Sequence, residues 1–132
     1  AMSSYTTNGV ETVISTSALA AGFGTNAPDK VICLALADLQ SSAFGSDFAA
    51  AVLRLRYNTS NSTTISGSAS VDGVQLNARK GGPPSLNLSK TINGWTGTRY
   101  FFLTLEVSAE SGSATGWWRA SDANISLLGA RR

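Results

Sequence analysis

Tyr100-Phe101-Phe102-Leu103-Thr104-Leu105-Glu106-Val107-Ser108 is the stretch on which the fold turns. Its period is two. Phe101, Leu103, Leu105 and Val107 fall on one face, and Tyr100, Phe102, Thr104, Glu106 and Ser108 on the other. The first set reads as a core face, so the segment is expected to be a strand packed against a second layer. Val31-Ile32-Cys33-Leu34-Ala35-Leu36-Ala37 is a continuous apolar run. Such a run is expected of a central strand buried on both sides. Residues 51–57 alternate again, with Leu53, Leu55 and Tyr57 set against Val52, Arg54 and Arg56.

Residues 64–79 read as a hairpin. Asp72-Gly73 is the residue pair that a type I′ turn prefers, because both central positions need positive φ. A two-residue loop there would pair Val71 with Val74, Ala69 with Leu76 and Gly67 with Ala78. Further strands are expected at 11–17 and 124–128, with a weaker one at 86–90. Asp47, ahead of three alanines, suits the N-cap of a helical turn over 46–52. Gly22-Phe23-Gly24, Gly81-Gly82-Pro83-Pro84, Asn93-Gly94 and Ser111-Gly112-Ser113 punctuate the chain. The expected fold is all-β: a single-domain antiparallel β-sandwich, jelly-roll-like, of about eight strands. It covers residues 1–132, with residues 1–3 reading as a cloning remnant.

Composition narrows the function classes. The chain has 132 residues, suited to one domain. Only 14% of them are charged, against roughly 25% in an average soluble domain, and 32 are Ser or Thr. The net charge of +2 is too weak to imply nucleic acid, which calls for a basic stripe. No apolar run approaches the ~20 residues of a membrane-spanning helix, so no membrane insertion is expected. No signal peptide is visible at the start. Asn58, Asn61, Asn87 and Asn124 each begin an Asn-x-Ser/Thr triplet, read here as chance in so Ser- and Thr-rich a chain.

Catalysis is not expected. The chain has no His, which removes Ser-His-Asp and Cys-His arrangements. Cys33 is the only Cys, so no intramolecular disulfide forms and multi-Cys metal sites are excluded. It lies in the most apolar run and reads as a core side chain. Glu106 and Glu110 are the nearest thing to a carboxylate pair, and a solvated strand edge and turn explains them. Asp29, Asp38, Asp47, Asp72 and Asp122 are scattered and form no calcium-loop motif, which leaves a calcium site open but unsupported; no cofactor is expected.

The tryptophans say more. Trp95 sits in Asn93-Gly94-Trp95-Thr96-Gly97, and Trp117 and Trp118 are adjacent. On an extended chain adjacent side chains point to opposite faces, so only one of the pair can enter a given core. An outward indole is a platform for the apolar face of a sugar or for a neighbouring subunit. Arg119 follows with hydrogen-bond donors. Trp95, Trp117, Trp118 and Arg119 are therefore the first candidate ligand surface. The second is the polar face carrying Gln75, Asn77 and Arg79 beside Ser68. The competing structural readings are tryptophans that cap the sandwich ends and a solvated sheet face.

The segment Gly116-Trp117-Trp118-Arg119-Ala120-Ser121-Asp122-Ala123-Asn124-Ile125-Ser126-Leu127 resembles the closing strand of jelly-roll modules in tail-fibre and other virion proteins of bacteriophages. It is also similar to the closing strand of carbohydrate-binding modules, in which an aromatic precedes an Asp-Asn-hydrophobic strand; here Ala123 separates Asp122 from Asn124. The resemblance implies a non-catalytic glycan-binding module for host attachment. Its alternative is a structural tail, fibre or decoration component whose surface is an assembly interface. The implied setting is the virion or the extracellular space. The implied partners are a glycan or neighbouring virion subunits, and the implied oligomer is a homotrimer.

Overall fold

A computed structural model describes residues 10–15, 18–22, 28–41, 49–78, 85–93, 97–109 and 118–130. It contains eight strands: β1 (Glu11–Val13), β2 (Leu19–Ala21), β3 (Lys30–Ser41), β4 (Ala49–Asn58), β5 (Ala69–Ala78), β6 (Ser85–Asn93), β7 (Arg99–Ala109) and β8 (Trp118–Ala130). All pairings are antiparallel. One sheet runs β1-β7-β4-β5, with β2 also on β7; the other runs β6-β3-β8. The all-β sandwich expected from the alternation is therefore present. Among the described residues, no helix is long and apolar enough to cross a membrane.

One core lies between the sheets. The five-stranded sheet contributes Leu53, Leu55, Phe101, Leu103, Leu105 and Ile14; the three-stranded sheet contributes Val31, Cys33, Ala35, Ala37 and Leu88. Phe101, Leu103 and Leu105 are fully buried, as the period of two requires. The side chain of Val107 lies outside the described residues. The opposite face of β7 is less open than its polarity suggests, because Phe102 and Thr104 are also fully buried. They stand opposite Arg56 and Arg54 in the register, on the face crossed by an ionic network described below.

The apolar run of β3 is central by hydrogen bonding, with β6 on one side and β8 on the other. It is not buried on both faces. Val31, Cys33, Ala35 and Ala37 face the core, whereas Leu34 is 49% and Leu36 39% exposed. The reason is the number of layers: a two-sheet sandwich covers only the inner face of each sheet.

Asp72-Gly73 does not turn. Residues 69–78 form one strand along β4, with Asp72 opposite Leu55 and Gly73 opposite Arg54. Among the described residues only Gly67 and Gly97 have positive φ. The register shifts between Leu55 and Arg56, leaving Val71 as the extra residue of a β-bulge. That extra residue puts Val71 and Val74 against the same core although they are three apart. A two-residue hairpin loop would produce the same facing, so the pattern of side chains fits both structures. The ladder with β4 outweighs the local turn preference. The actual reversal between β4 and β5 lies upstream. Ser68 donates its N–H to the Ile65 carbonyl at 3.0 Å, and Gly67, at φ 82°, takes the third turn position that a type II turn reserves for glycine.

The helical turn expected over 46–52 is also replaced, at least from Ala49 onward. Ala49, Ala50 and Ala51 are strand residues paired with β5 on one side and β7 on the other. Two ladders supply more hydrogen bonds than one helical turn can, and the helix propensity of alanine is a weak preference by comparison. The weak strand at 86–90 extends to Ser85–Asn93, and the one at 124–128 to Trp118–Ala130. The edge beside β7 is broken in two. β1 ends at Val13, where Ile14 donates its N–H to the Leu103 carbonyl at 2.9 Å and the Leu103 N–H turns to Ser15 Oγ at 2.7 Å. A serine hydroxyl thus takes the place of a ladder carbonyl before β2 resumes pairing at Leu19.

Candidate functional site

The outer face of the three-stranded sheet is built from register. Leu34 lies between Ser89 on β6 and Ser126 on β8, and Leu36 lies between Asn87 and Asn124. Each leucine is therefore flanked by a matched pair of short polar side chains, and all four of these are exposed. Ile32 continues the central column, between Thr91 and Leu128. Lys30 and Asp38 close its two ends. Leu34, Leu36 and the four polar residues line an open cleft of about 460 Å³. The local cause is period two on all three strands. Leu88 and Ile125 turn into the core, which sends Asn87 and Ser89, and Asn124 and Ser126, outward together.

The outer face of the other sheet is ionic. Arg56 donates from Nε to Glu11 Oε1 at 2.6 Å and from Nη2 to Oε2 at 3.0 Å. Thr104 Oγ1 donates to the same Oε1 at 2.6 Å. Arg54 Nη1 bonds Glu106 Oε2 at 2.6 Å and lies 3.7 Å from Glu11. Burial pushes the Glu11 carboxyl up, but the bonds from Arg56 and Thr104 and the charges of Arg56 and Arg54 outweigh it. The net effect holds Glu11 below the usual carboxylate value. Glu106, one half of the carboxylate pair considered in the sequence, is a salt-bridge partner here; Glu110 lies outside the described residues.

Cys33 is buried, and burial pushes its thiol up to about 11, partly opposed by the Arg99 charge. A thiol so far from ionisation is a poor nucleophile, which fits the core role read from sequence. At the β4–β5 end, Asn58 Nδ2 donates to the carbonyls of Ser62 and Thr64 at 2.9 and 3.1 Å, shaping the connection. Arg99 stacks over the Tyr57 ring, its guanidinium carbon 4.6 Å from the centroid.

The sequence-derived site residues fall as follows. Trp118 opens β8 opposite Ser41, and Arg119 follows opposite Gln40. Gln75 and Asn77 lie on β5, opposite Val52 and Ala50. The two pairs thus belong to different sheets. Trp95, Trp117 and Arg79 lie outside the described residues. The chain leaves β6 at Asn93, beside Lys30 at the start of β3, and enters β8 at Trp118, beside Ser41 at its end. These positions are separated by the length of β3, roughly 36 Å at about 3.3 Å per residue.

The polar pairs around Leu34 and Leu36 escaped the sequence reading, although their signal was present. Asn87-Leu88-Ser89 and Asn124-Ile125-Ser126 are two of the four Asn-x-Ser/Thr triplets. In a strand, such a triplet is an Asn and a Ser side by side on one face, with an apolar residue on the other. Comparison with known proteins finds no matching family model, no similar curated protein and no similar solved structure.

Proposed function

We propose that this chain is a non-catalytic glycan-binding β-sandwich module of the host-attachment kind, carried on a virion surface. The observation that supports it is the outer face of β6-β3-β8. Leu34 and Leu36 offer the C–H face of a sugar an apolar seat, and Asn87, Asn124, Ser89 and Ser126 flank that seat with amides and hydroxyls. An amide both donates and accepts, which suits it to sugar hydroxyls. A cleft of a few hundred Å³ is of the usual size for a small-molecule site. Strand order supports the jelly-roll form of the fold. After β2, every connection except β4–β5 passes from one sheet to the other, as in a doubled Greek key.

A glycan array probed with the wild-type chain and with Asn87→Ala and Asn124→Ala tests this reading. Binding by the wild type that weakens in both variants, with unchanged melting, is the expected result. A blank array, or hits that ignore both substitutions, removes it. The aromatic surface is probed in parallel by Trp117→Ala and Trp118→Ala.

The second reading is an assembly component whose surface packs on neighbouring subunits. Leu128 favours it. At 63% exposure it is the most exposed large apolar side chain among the described residues, and it extends the leucine face onto β8. Exposed apolar surface of this kind calls for a partner. Light scattering decides: a stable oligomer that dissociates on Leu128→Lys supports assembly, and a monomer at high concentration argues against it.

A further inference from the structure

The two sheets differ in width. The five-stranded sheet is four strands across, because β1 and β2 share one position beside β7; the other sheet is three across. β6 packs across from β5, and β8 across from β7. β2 therefore overhangs the edge of β8. Among the described residues, no strand lies beside β8 at the place where a fourth would stack on β2.

Burial shows the same gap. Leu19 is the ladder partner of Phe101 and shares its core-facing side, yet Phe101 is fully buried and Leu19 is 39% exposed. Ile125 and Leu127 pack against the core from β8 but are only half-buried, whereas Val31 and Cys33 on β3 are fully buried. Leu127 and residues 19–22 line an open cleft of about 390 Å³ between the two sheet edges.

The two edges of the three-stranded sheet are not equally guarded. β6 carries Lys90 in register with Leu88 and Ile92, both of which pack on the core. A charge on the inward side of an edge strand keeps foreign strands off it. β8 has no charge and no proline from Ala123 to Ala130.

Shape, charge and area restrict the occupant. A second sandwich cannot bring its sheet edge alongside β8, because its other layer would run into β2. The recess therefore admits one strand. Every described strand of this chain is already laddered in its own sheets, so a folded copy has none to lend. Leu19, Ala21 and Leu127 offer no counter-charge, so side chains turned into the cleft must be apolar, one at every second residue. Over the three residues of β2 the occupant spans about five, against roughly 20–30 residues a side in a standard interface. So short a strand binds well only as the arm of a chain tethered nearby.

We infer that the recess between β2 and β8 receives an extended arm of a different partner chain, added as a strand to β8 and apolar at alternate positions. The inference is independent of the glycan reading, since the recess lies between the sheets and not on the outer face.

Amide hydrogen exchange on the whole chain, followed by NMR, tests it. The probe is a capped seven-residue peptide of alternating Thr and Val; the control has Lys in place of Val. In the free chain, alternate amides of residues 123–130 should exchange fast, as on an open edge. At twice its dissociation constant the Thr-Val peptide should slow them about threefold and leave β6 unchanged. Leu19→Lys should abolish the slowing while melting stays as it was, and Leu19→Val should keep it. No slowing, or equal slowing on β6 or with the Lys peptide, would overturn the inference. Uniform protection of residues 123–130 in the free chain would show the recess already filled by the chain itself. Protection that grows with protein concentration would show a second copy there. Either result also overturns it. A glycan array that binds while no strand adds to β8 sinks this inference alone.

Discussion

Arg56 on β4 grips Glu11 on β1 through both carboxylate oxygens, at 2.6 and 3.0 Å, reaching across the intervening strand β7. The side chains are only 15% and 16% exposed. A strand of three residues makes few ladder bonds, so this two-pronged contact is a large part of what holds β1 in place.

Glu11→Gln should therefore destabilise the fold by about 1–3 kcal/mol, because it leaves the partly buried Arg56 guanidinium without its counter-charge. Urea denaturation at neutral pH measures the loss. A change within a few tenths of a kcal/mol would mean that the pair contributes only as an exposed surface bridge does.

The same contact sets a pH dependence. The carboxyl of Glu11 is held below its usual value in the folded chain, so the unfolded chain takes up the proton first as pH falls. The stabilisation is complete above the unfolded carboxylate value and is lost as pH drops through the lower folded one. Melting curves from neutral pH down through the acid range should show this decline in the wild type and a shallower one in Glu11→Gln.

Two glycines should respond to different degrees. At Gly67, φ is 82° and a Cβ would meet nothing within 4 Å, so the cost of Gly67→Ala is backbone strain of about 1–2 kcal/mol. Gly73 has no positive φ, and a Cβ there would lie 3.4 Å from Arg54 Cγ and from the Leu53 carbonyl. Gly73→Ala should change stability by less than about 1 kcal/mol in either direction. Comparable large losses at both positions would restore the Asp72-Gly73 turn.

Leu103→Ala should cost about 2–5 kcal/mol through the cavity it leaves in a fully buried site. Chemical denaturation checks it, and a loss under half a kcal/mol would show that this face of β7 is not the core.

Cys33 should resist alkylation at neutral pH in the native chain and react only as fast as the fold opens, because its buried thiol ionises near 11. Labelling rates followed through a urea series provide the measurement. A fast reaction in native buffer would place the thiol at the surface.

Sequence alone determined the strands whose alternation or apolarity is strong. Phe101, Leu103 and Leu105 announce β7, and Leu53 and Leu55 announce β4, because period two in side chains is imposed by the backbone itself. It also determined that Cys33 is core. Tertiary structure decided everything that depends on a neighbour. Val71 and Val74 face one way in a hairpin and in a bulged strand alike, and only pairing with β4 chooses between them. The apolarity of Val31–Ala37 reveals a central strand but not the number of layers covering it, so Leu34 and Leu36 emerged at the surface. Arg54 and Arg56 read equally as solvated or paired until β1 and β7 brought Glu11 and Glu106 beside them. Asn87 and Asn124, 37 positions apart in the chain, flank one leucine only because β6 and β8 pair with opposite sides of β3. A strand's own pattern is local and can be read from its residues. A face shared by three strands depends on register, which the long-range ladders set.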